Sequence, residues 1–303
     1  MRTLYTTFVF LLLFVPFISL ASQDSIPEHK VDKIFLKINL EPNSSYRFVS
    51  NTNQNIVQEF MGNTMEISQN IIVSSIFEIE DNTDGKMRIK AFYERIAMDA
   101  NTPQGNVKID SDNENDGDLD NAPELQKLSS MMNKPFYITL TSDGKLIRIE
   151  GLEKFIEQGN NTSNPFVKEL LTEENVISSF ENFFNVFSSD SVSMGETWNK
   201  NRSQGMNNQF ELIFEESLTL EGLSEDIAWI NTQSQINGAA SENSFFDELN
   251  IEGTQQGTIE VERYSGLILF SEITQEIQGL LKMQGTEVPI KISSTSTHTG
   301  ERL

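Results

Sequence analysis

Cysteine is absent from this 303-residue chain, and histidine occurs only twice. Without a thiol the chain has no disulfide, no cysteine nucleophile and no attachment point for a bacterial lipid anchor. His29 and His298 lie in polar segments that we expect to be frayed, which argues against a histidine-based metal site or a serine triad. No glycine-rich phosphate loop is present. We therefore expect a protein that is not an enzyme and that has no cofactor.

Basic residues are few, because 22 lysines and arginines stand against 45 aspartates and glutamates, for a net charge of −23. A field this negative repels phosphate backbones, so we expect no nucleic-acid partner. The carboxylates leave one class of enzyme open, since a hydrolase built on two acidic side chains needs only a suitable pair. Nothing in the sequence selects such a pair.

Long apolar runs are also missing, apart from one near the N-terminus. Residues 8–18 are apolar and are followed by small residues up to Ala21, a pattern typical of a cleaved secretory signal. A helix that spans a bilayer needs about 20 apolar residues, which this run does not reach. We expect residues 1–21 to be a signal peptide and residues 22–303 to form an exported protein, periplasmic or extracellular, with no transmembrane segment after cleavage.

The rest of the chain alternates between apolar and polar residues with a period of two, which is typical of half-buried β-strands. Residues 64–79 and 87–93 alternate on either side of an Asn-Thr-Asp-Gly turn, which predicts a hairpin. A second hairpin is predicted at 136–149, where Asp143-Gly144 supplies the turn. Further strands are predicted at 210–220, 226–236, 257–263, 267–278 and 288–294. Several are longer than the usual length of about six residues, which favours a large, curved antiparallel sheet.

Between these two groups of strands the apolar residues recur every three or four positions, which predicts helices. Asn121 and Glu124 form a capping-box pair at the start of the first. Four short helices are predicted, beginning near 121, 152, 165 and 172. Each has one apolar face that has to be buried on the sheet. The predicted fold class is α+β, mainly β: one domain at 22–303, with a half-barrel-like sheet and a layer of short helices, at about 121–187, packed on one face. Two domains are the alternative.

Aromatic residues are concentrated on one face of the last predicted helix. A curved sheet covered by helices leaves an apolar hollow, where such side chains can line a site for an acyl chain. Ordinary core packing explains the same pattern, because aromatic stripes on helices usually face a core. The candidate ligand-lining residues are Phe166, Phe180, Phe183, Phe184, Phe187 and Trp198.

An acidic segment resembles a calcium loop in composition, since hard cations are bound by many oxygen ligands. Its candidate ligands are Asp112, Glu114, Asp116 and Asp118. The spacing does not fit, because Pro123 occupies the position where a calcium loop has a bidentate glutamate. We therefore predict a solvated loop without a metal, with weak calcium binding as the alternative.

Four motifs occur together: residues 133–140 (NKPFYITL) before the Asp-Gly turn, 191–198 (SVSMGETW), 257–262 (GTIEVE) and 265–267 (SGL). Their order and spacing resemble a family of exported bacterial proteins of unknown function that is common in the Bacteroidetes. The resemblance covers nearly all of residues 22–303 and brings no catalytic residues. The predicted architecture is also similar to the half-barrel of periplasmic lipoprotein carriers and other lipid-binding envelope proteins, which implies a lipid or lipopeptide ligand.

These observations favour a non-catalytic exported binding protein that holds a hydrophobic or lipid-like ligand between sheet and helices. The alternative is a structural or protein-interaction module of the envelope that binds another envelope protein and no small ligand. A carboxylate-based hydrolase is a third possibility. The expected partner is thus a hydrophobic ligand or an envelope protein.

Overall fold

The computed structural model describes residues 33–60, 62–103, 105–112, 132–153, 156–157, 172–206, 210–241, 244, 246–283 and 285–303. The predicted signal peptide and most of the acidic segment lie outside these residues. So do most residues of the first three predicted helices.

The described residues form twelve strands and one helix. No helix among them is long and apolar enough to span a membrane. In chain order the elements are β1 (Ser45–Phe60), β2 (Asn63–Thr83), β3 (Lys86–Thr102), β4 (Gly105–Asp110), β5 (Phe136–Thr141), β6 (Leu146–Glu150), α1 (Glu173–Phe184), β7 (Thr197–Met206), β8 (Phe210–Leu223), β9 (Ile227–Ala240), β10 (Glu248–Glu262), β11 (Ile268–Met283) and β12 (Thr286–Arg302).

The twelve strands belong to one antiparallel sheet. Their order is β6-β5-β3-β2-β1-β12-β11-β10-β9-β8-β7, with β4 paired to the free end of β3 beside β5. The first and last strands of the chain are therefore neighbours in the middle of the sheet. Most other neighbours are joined by hairpins, which keeps strand pairing local in sequence.

Both predicted hairpins are confirmed. Asp84 and Gly85 join β2 to β3 with φ angles of 54° and 71°. Gly144 joins β5 to β6 with φ of 82°. Positive φ at both Asp84 and Gly85 suits a two-residue turn between antiparallel strands, whereas of Asp143 and Gly144 only the glycine has positive φ, which glycine adopts without a steric cost.

The sheet curls until its two edges approach each other. Lys200 on the edge strand β7 has its Nζ 4.0 Å from Oδ2 of Asp143, in the β5–β6 turn near the other edge. Helix α1 contacts both edge strands, β6 and β7. Two inward-facing glycines of β10, Gly253 and Gly257, have no room for a Cβ, because it would meet the backbone of β11. Such glycines permit sharp curvature in a sheet.

The fold class predicted from the sequence is wrong in its helical part. The described residues are nearly all β, and besides α1, with 12 residues, they include only three helical residues, at 153 and 156–157, so they contain no helical layer. The physical reason is that the sheet covers its own apolar face by curling. Strand side chains from both halves of the sheet pack together in one cluster, and α1 covers the remaining gap.

The turns at Gly144 and Gly85 allow a matched test of how α1 is held. A Cβ on Gly144 would overlap the carbonyl oxygen of Phe184 at the end of α1, whereas a Cβ on Gly85 meets nothing within 4 Å. We expect Gly85→Ala to lower the free energy of unfolding by about 1 kcal/mol, the cost of positive φ. Gly144→Ala should cost about 3 kcal/mol because of the added overlap. Urea denaturation measures both, and equal losses would contradict this packing.

Candidate functional site

The inward-facing apolar side chains of the sheet form two separate clusters. Along β8 the even-numbered residues from Leu212 to Leu220 are buried and most of the residues between them are exposed. The large cluster includes Leu218 and Leu220 together with side chains of α1. The small cluster lies toward the other ends of the strands, and its buried members are Leu212, Phe214, Ile236, Ile251, Ile277, Leu281 and Ile290.

Polar residues separate the two clusters on the same inward face. Glu216 is the even-numbered residue of β8 between Phe214 and Leu218, and it is 7% exposed. Gln255 occupies the equivalent buried position on β10. Glu216 and Gln255 are each paired directly with polar residues on the neighbouring strands, and together these residues form a line across the sheet that we call the polar row. From β2 to β7 it consists of Gln69, Gln54, Ser294, Gln275, Gln255, Ser234, Glu216 and Lys200, each directly paired with the next.

Hydrogen bonds converge on Gln255 at the centre of the polar row. Its Nε2 donates to Oε1 of Glu216 (3.3 Å) and to Oγ of Ser234 (3.4 Å). Its Oε1 accepts from Nε2 of Gln275 and from Nη2 of Arg202, both at 2.8 Å. A buried amide without partners would be destabilising, so these contacts are what allow Gln255 to occupy a core position.

Arg202 of β7 places a positive charge beside the polar row. Its guanidinium carbon lies 3.6 Å from the ring centroid of Phe214, its cross-strand partner, in a cation–π contact. Burial lowers the pKa of Arg202, and the negative charges of Glu216 and Glu181 act in the opposite direction. The guanidinium stays charged, because arginine does not lose its proton in proteins. No carboxylate of the described residues forms an ion pair with it.

Glu216 and Lys200, at the end of the polar row, are held by neighbours outside the row. Oε1 of Glu216 accepts a hydrogen bond of 2.6 Å from Oγ1 of Thr232. Nζ of Lys200 lies 3.1 Å from Oδ1 of Asn185, just after α1, and near Asp143. Burial lowers the pKa of Lys200. Lys200 therefore links the edge strand β7 to Asn185, which follows α1, and to the β5–β6 turn near the other edge of the sheet.

A cavity of about 320 Å³ lies between the inward face of the sheet and α1. Its walls differ in chemistry. One is aromatic and is formed by Phe48, Phe77, Phe180 and Phe183. The other is polar and includes Ser50, Thr52, Glu181, Arg202, Gln204, Glu216, Gln255, Gln275, Ser294, Ser296 and His298. The cavity thus offers an apolar surface and a hydrogen-bonding surface to one occupant.

His298 lies on the polar wall, and the expectation that it is frayed is wrong. It belongs to β12, which continues to Arg302 and pairs with β1 and β11 on either side. Its Nδ1 is 3.0 Å from Oγ of Ser271, and its ring meets the edge of Phe183 at a centroid distance of 5.4 Å. Burial lowers the pKa of His298 to about 4, so the imidazole is neutral near pH 7.

The candidate ligand-lining residues fall into three groups. Phe180 and Phe183 are on the cavity wall. Phe184, Phe187 and Trp198 are buried in the large cluster, where Nε1 of Trp198 donates to the Val186 carbonyl oxygen at 3.0 Å. Phe166 lies outside the described residues. That any of these side chains contacts a ligand stays a prediction.

Of the candidate calcium ligands, only Asp112 is among the described residues. Its Oδ2 lies 3.6 Å from Nε of Arg95, which also binds Asp110. Glu114, Asp116 and Asp118 lie outside. Among the residues that the structure describes, no three histidine or acidic side chains are placed to hold a metal ion.

Sequence reasoning missed the polar wall. A signal was present for Glu216, which interrupts the apolar side of the alternation between Phe214 and Leu218. A charged residue at an inward position of a strand indicates a buried polar site rather than a solvated face. Arg202 gave no comparable signal, because β7 is polar at most positions and shows no clear alternation.

Comparisons with known proteins give a family but no activity. Residues 84–268, more than half of the chain, match the model described as "Family of unknown function (DUF6263)". Arg202, Glu216 and Gln255 lie inside the matched segment. No curated protein sequence matches the chain significantly.

Solved structures resemble the chain only weakly. A structure of lipovitellin, titled for its lipid–protein interactions, has a TM-score of 0.48 and 11% identity over 86% of this chain, which spans only 25% of that one. An outer membrane channel from Pseudomonas putida F1 has a TM-score of 0.25 and 7% identity, over 87% of this chain and 97% of that one. The β domain of the Bordetella autotransporter BrkA has a TM-score of 0.26 and 7% identity, over 84% of this chain and 99% of that one. At these TM-scores the similarities carry no argument about function.

The low pKa of His298 leads to a prediction about acid stability. An unfolded histidine takes up a proton near pH 6.5, whereas folded His298 does so near pH 4. The contribution of His298 to the free energy of unfolding is therefore complete above about pH 6.5 and decreases as the pH falls through 4, by about 3 kcal/mol in total. We expect His298→Gln to remove this pH-dependent loss, measured by urea denaturation between pH 7.5 and 4.

Proton NMR tests the same assignment directly, because the chain has only two histidines. One imidazole resonance should titrate near pH 4, and it should persist in a His29→Gln variant. Two resonances that both titrate near pH 6.5 would contradict the burial of His298.

Proposed function

We propose a ligand-binding role for this chain, which belongs to the DUF6263 family of unknown function. In this proposal the protein is a non-catalytic binding protein that holds a hydrophobic, lipid-like ligand in the cavity between the curled sheet and α1. The observation that carries the proposal is the cavity itself, with its aromatic wall and its polar wall.

The aromatic wall supports an apolar ligand. Phe183 is only partly buried, although it packs edge-on against Phe48 at a centroid distance of 4.7 Å. It also lines the cavity. Apolar surface that stays unpacked inside a fold is unfavourable, and an apolar ligand that covers it regains roughly 25 cal/mol for each Å² removed from water.

The size of the cavity supports a small ligand with one chain. Ligand sites occupy roughly 300–1,000 Å³, and a cavity of about 320 Å³ is at the lower end of that range. A single acyl chain suits this volume better than a lipid with two chains. The aromatic side chains suit an acyl chain because they supply a continuous apolar surface without hydrogen-bonding groups.

The alternative of an interaction module has less support. Large exposed hydrophobic side chains are scattered on separate elements, such as Phe35, Ile147 and Tyr264. A protein-binding face more often shows a contiguous apolar patch. The internal cavity favours a ligand over a protein partner.

We also propose that the protein is exported, on the basis of the apolar run at 8–18 and the small residues that follow it. In an exporting bacterial host the recovered protein should begin at Ser22. Intact-mass measurement of the recovered chain checks this. A mass that retains residues 1–21 would contradict cleavage.

Ligand binding is tested by filling the cavity. Ser296 of β12 lines the cavity, and Thr299 on the same strand is exposed. We expect the uncharged hydrophobic dye Nile red to bind the wild type with a blue-shifted emission. Ser296→Phe should weaken binding by about tenfold, because the added ring occupies the cavity, and Thr299→Phe should leave it unchanged.

Thermal unfolding of both variants controls for loss of structure. Absence of dye binding by the wild type, or equal loss in the two variants, would contradict the proposal. Native mass spectrometry of protein from the exporting host, followed by organic extraction, provides an independent check for a co-purified ligand.

A further inference from the structure

We infer that Arg202 binds the anionic head group of a single-chain amphiphile whose tail lies against the aromatic wall. The head group is an oxyanion, a carboxylate or a phosphate, since both match the planar fork of a guanidinium. This inference rests on the proposed ligand-binding function and specifies the class of ligand.

Arg202 has hydrogen-bonding capacity that the described residues do not use. A guanidinium has five N–H donors. One bond from Nη2 goes to Gln255, and one face of the group covers the ring of Phe214. Because the side chain also lines the cavity, the other donors are within reach of an occupant.

The charge of Arg202 lacks a close counter-charge among the described residues. Two carboxylates, Glu216 and Glu181, line the same cavity, and Oε1 of Glu216 accepts hydrogen bonds from Thr232 and Gln255 instead of from Arg202. Glu216 and Glu181 favour the charged guanidinium only through their fields, without an ion pair. A charge that is largely removed from water is costly unless it is paired, so an anion in the cavity stabilises this arrangement.

Lys200, the neighbouring cation on β7, does not offer an equivalent site. It is bound to Asn185 and lies close to Asp143, and its side chain is not part of the cavity wall. Arg202 is therefore the one cation in the cavity lining among the described residues, beside the carboxylates Glu216 and Glu181, and Phe183 belongs to the aromatic wall. This arrangement orients an amphiphile with its head at Arg202.

The net charge of −23 does not prevent an anion from binding here. Charges on the surface are screened over about 8 Å at physiological ionic strength. A direct contact with a guanidinium in a partly desolvated cavity is screened much less. The negative surface instead disfavours partners with many phosphates, which supports a ligand with one anionic group.

The test compares three ligands that share a twelve-carbon chain: dodecanoate, dodecyl phosphate and dodecanol. Their affinities are measured by displacement of Nile red at pH 7.5. We expect the wild type to bind one or both anions at least about tenfold more tightly than dodecanol. The ratio between dodecanoate and dodecyl phosphate then assigns the head group.

The matched variants are Arg202→Met, which keeps an apolar stem against Phe214, and Arg148→Met, which removes an exposed arginine of β6. Arg202→Met should weaken anion binding by at least about tenfold and leave dodecanol binding within about threefold. Arg148→Met should change neither. Arg202→Lys, which keeps the charge, should recover part of the anion affinity and provides a second variant if Arg202→Met is unstable.

Equal affinity of the wild type for the alcohol and the anions would overturn this inference while leaving the proposed function intact. A parallel loss of alcohol and anion binding in Arg202→Met, with the fold retained, would also overturn it, because it indicates a structural role for Arg202. Failure of the wild type to bind Nile red and all three compounds would contradict the proposed function itself.

Discussion

The arrangement of this protein depends on a set of polar side chains that lie where a sheet normally buries apolar ones. Gln255 illustrates the constraint, because it can remain inside only while Glu216, Ser234, Gln275 and Arg202 supply its hydrogen bonds. Each partner comes from a different strand. The polar row thus fixes the registers of neighbouring strands relative to one another, since a slip of one residue would turn its members outward.

Stability alone does not explain the polar row. Replacement of buried charged groups by packed apolar residues is often neutral or stabilising, and the two apolar clusters on either side would merge into one core. The chain instead keeps Glu216 and Arg202 inside, next to a cavity whose lining also contains the aromatic wall. Polar groups held in this way at a cavity are typical of sites that orient a ligand.

The sequence predicted the strands better than the helices or the site. Alternation and the Asp-Gly turns were sufficient for the β2–β3 and β5–β6 hairpins, because these signals are local. Strand β1 was not predicted, since its many Asn, Gln and Ser residues hide the alternation. The prediction of a helical layer was wrong because the curling of the sheet, which covers its apolar face, depends on contacts between strands that are distant in sequence. Likewise, Arg202 of β7 and Gln255 of β10 are 53 residues apart, so no local sequence pattern predicts their contact.

A crystal structure with 12-bromododecanoate tests the central claim most directly, because the bromine marks the end of the tail by anomalous scattering. We expect the bromine peak beside the rings of Phe77 and Phe180, with the carboxylate within hydrogen-bonding distance of the Arg202 guanidinium. A bromine peak on the outer face of the sheet, or a cavity that contains only ordered water at saturating ligand, would contradict the account.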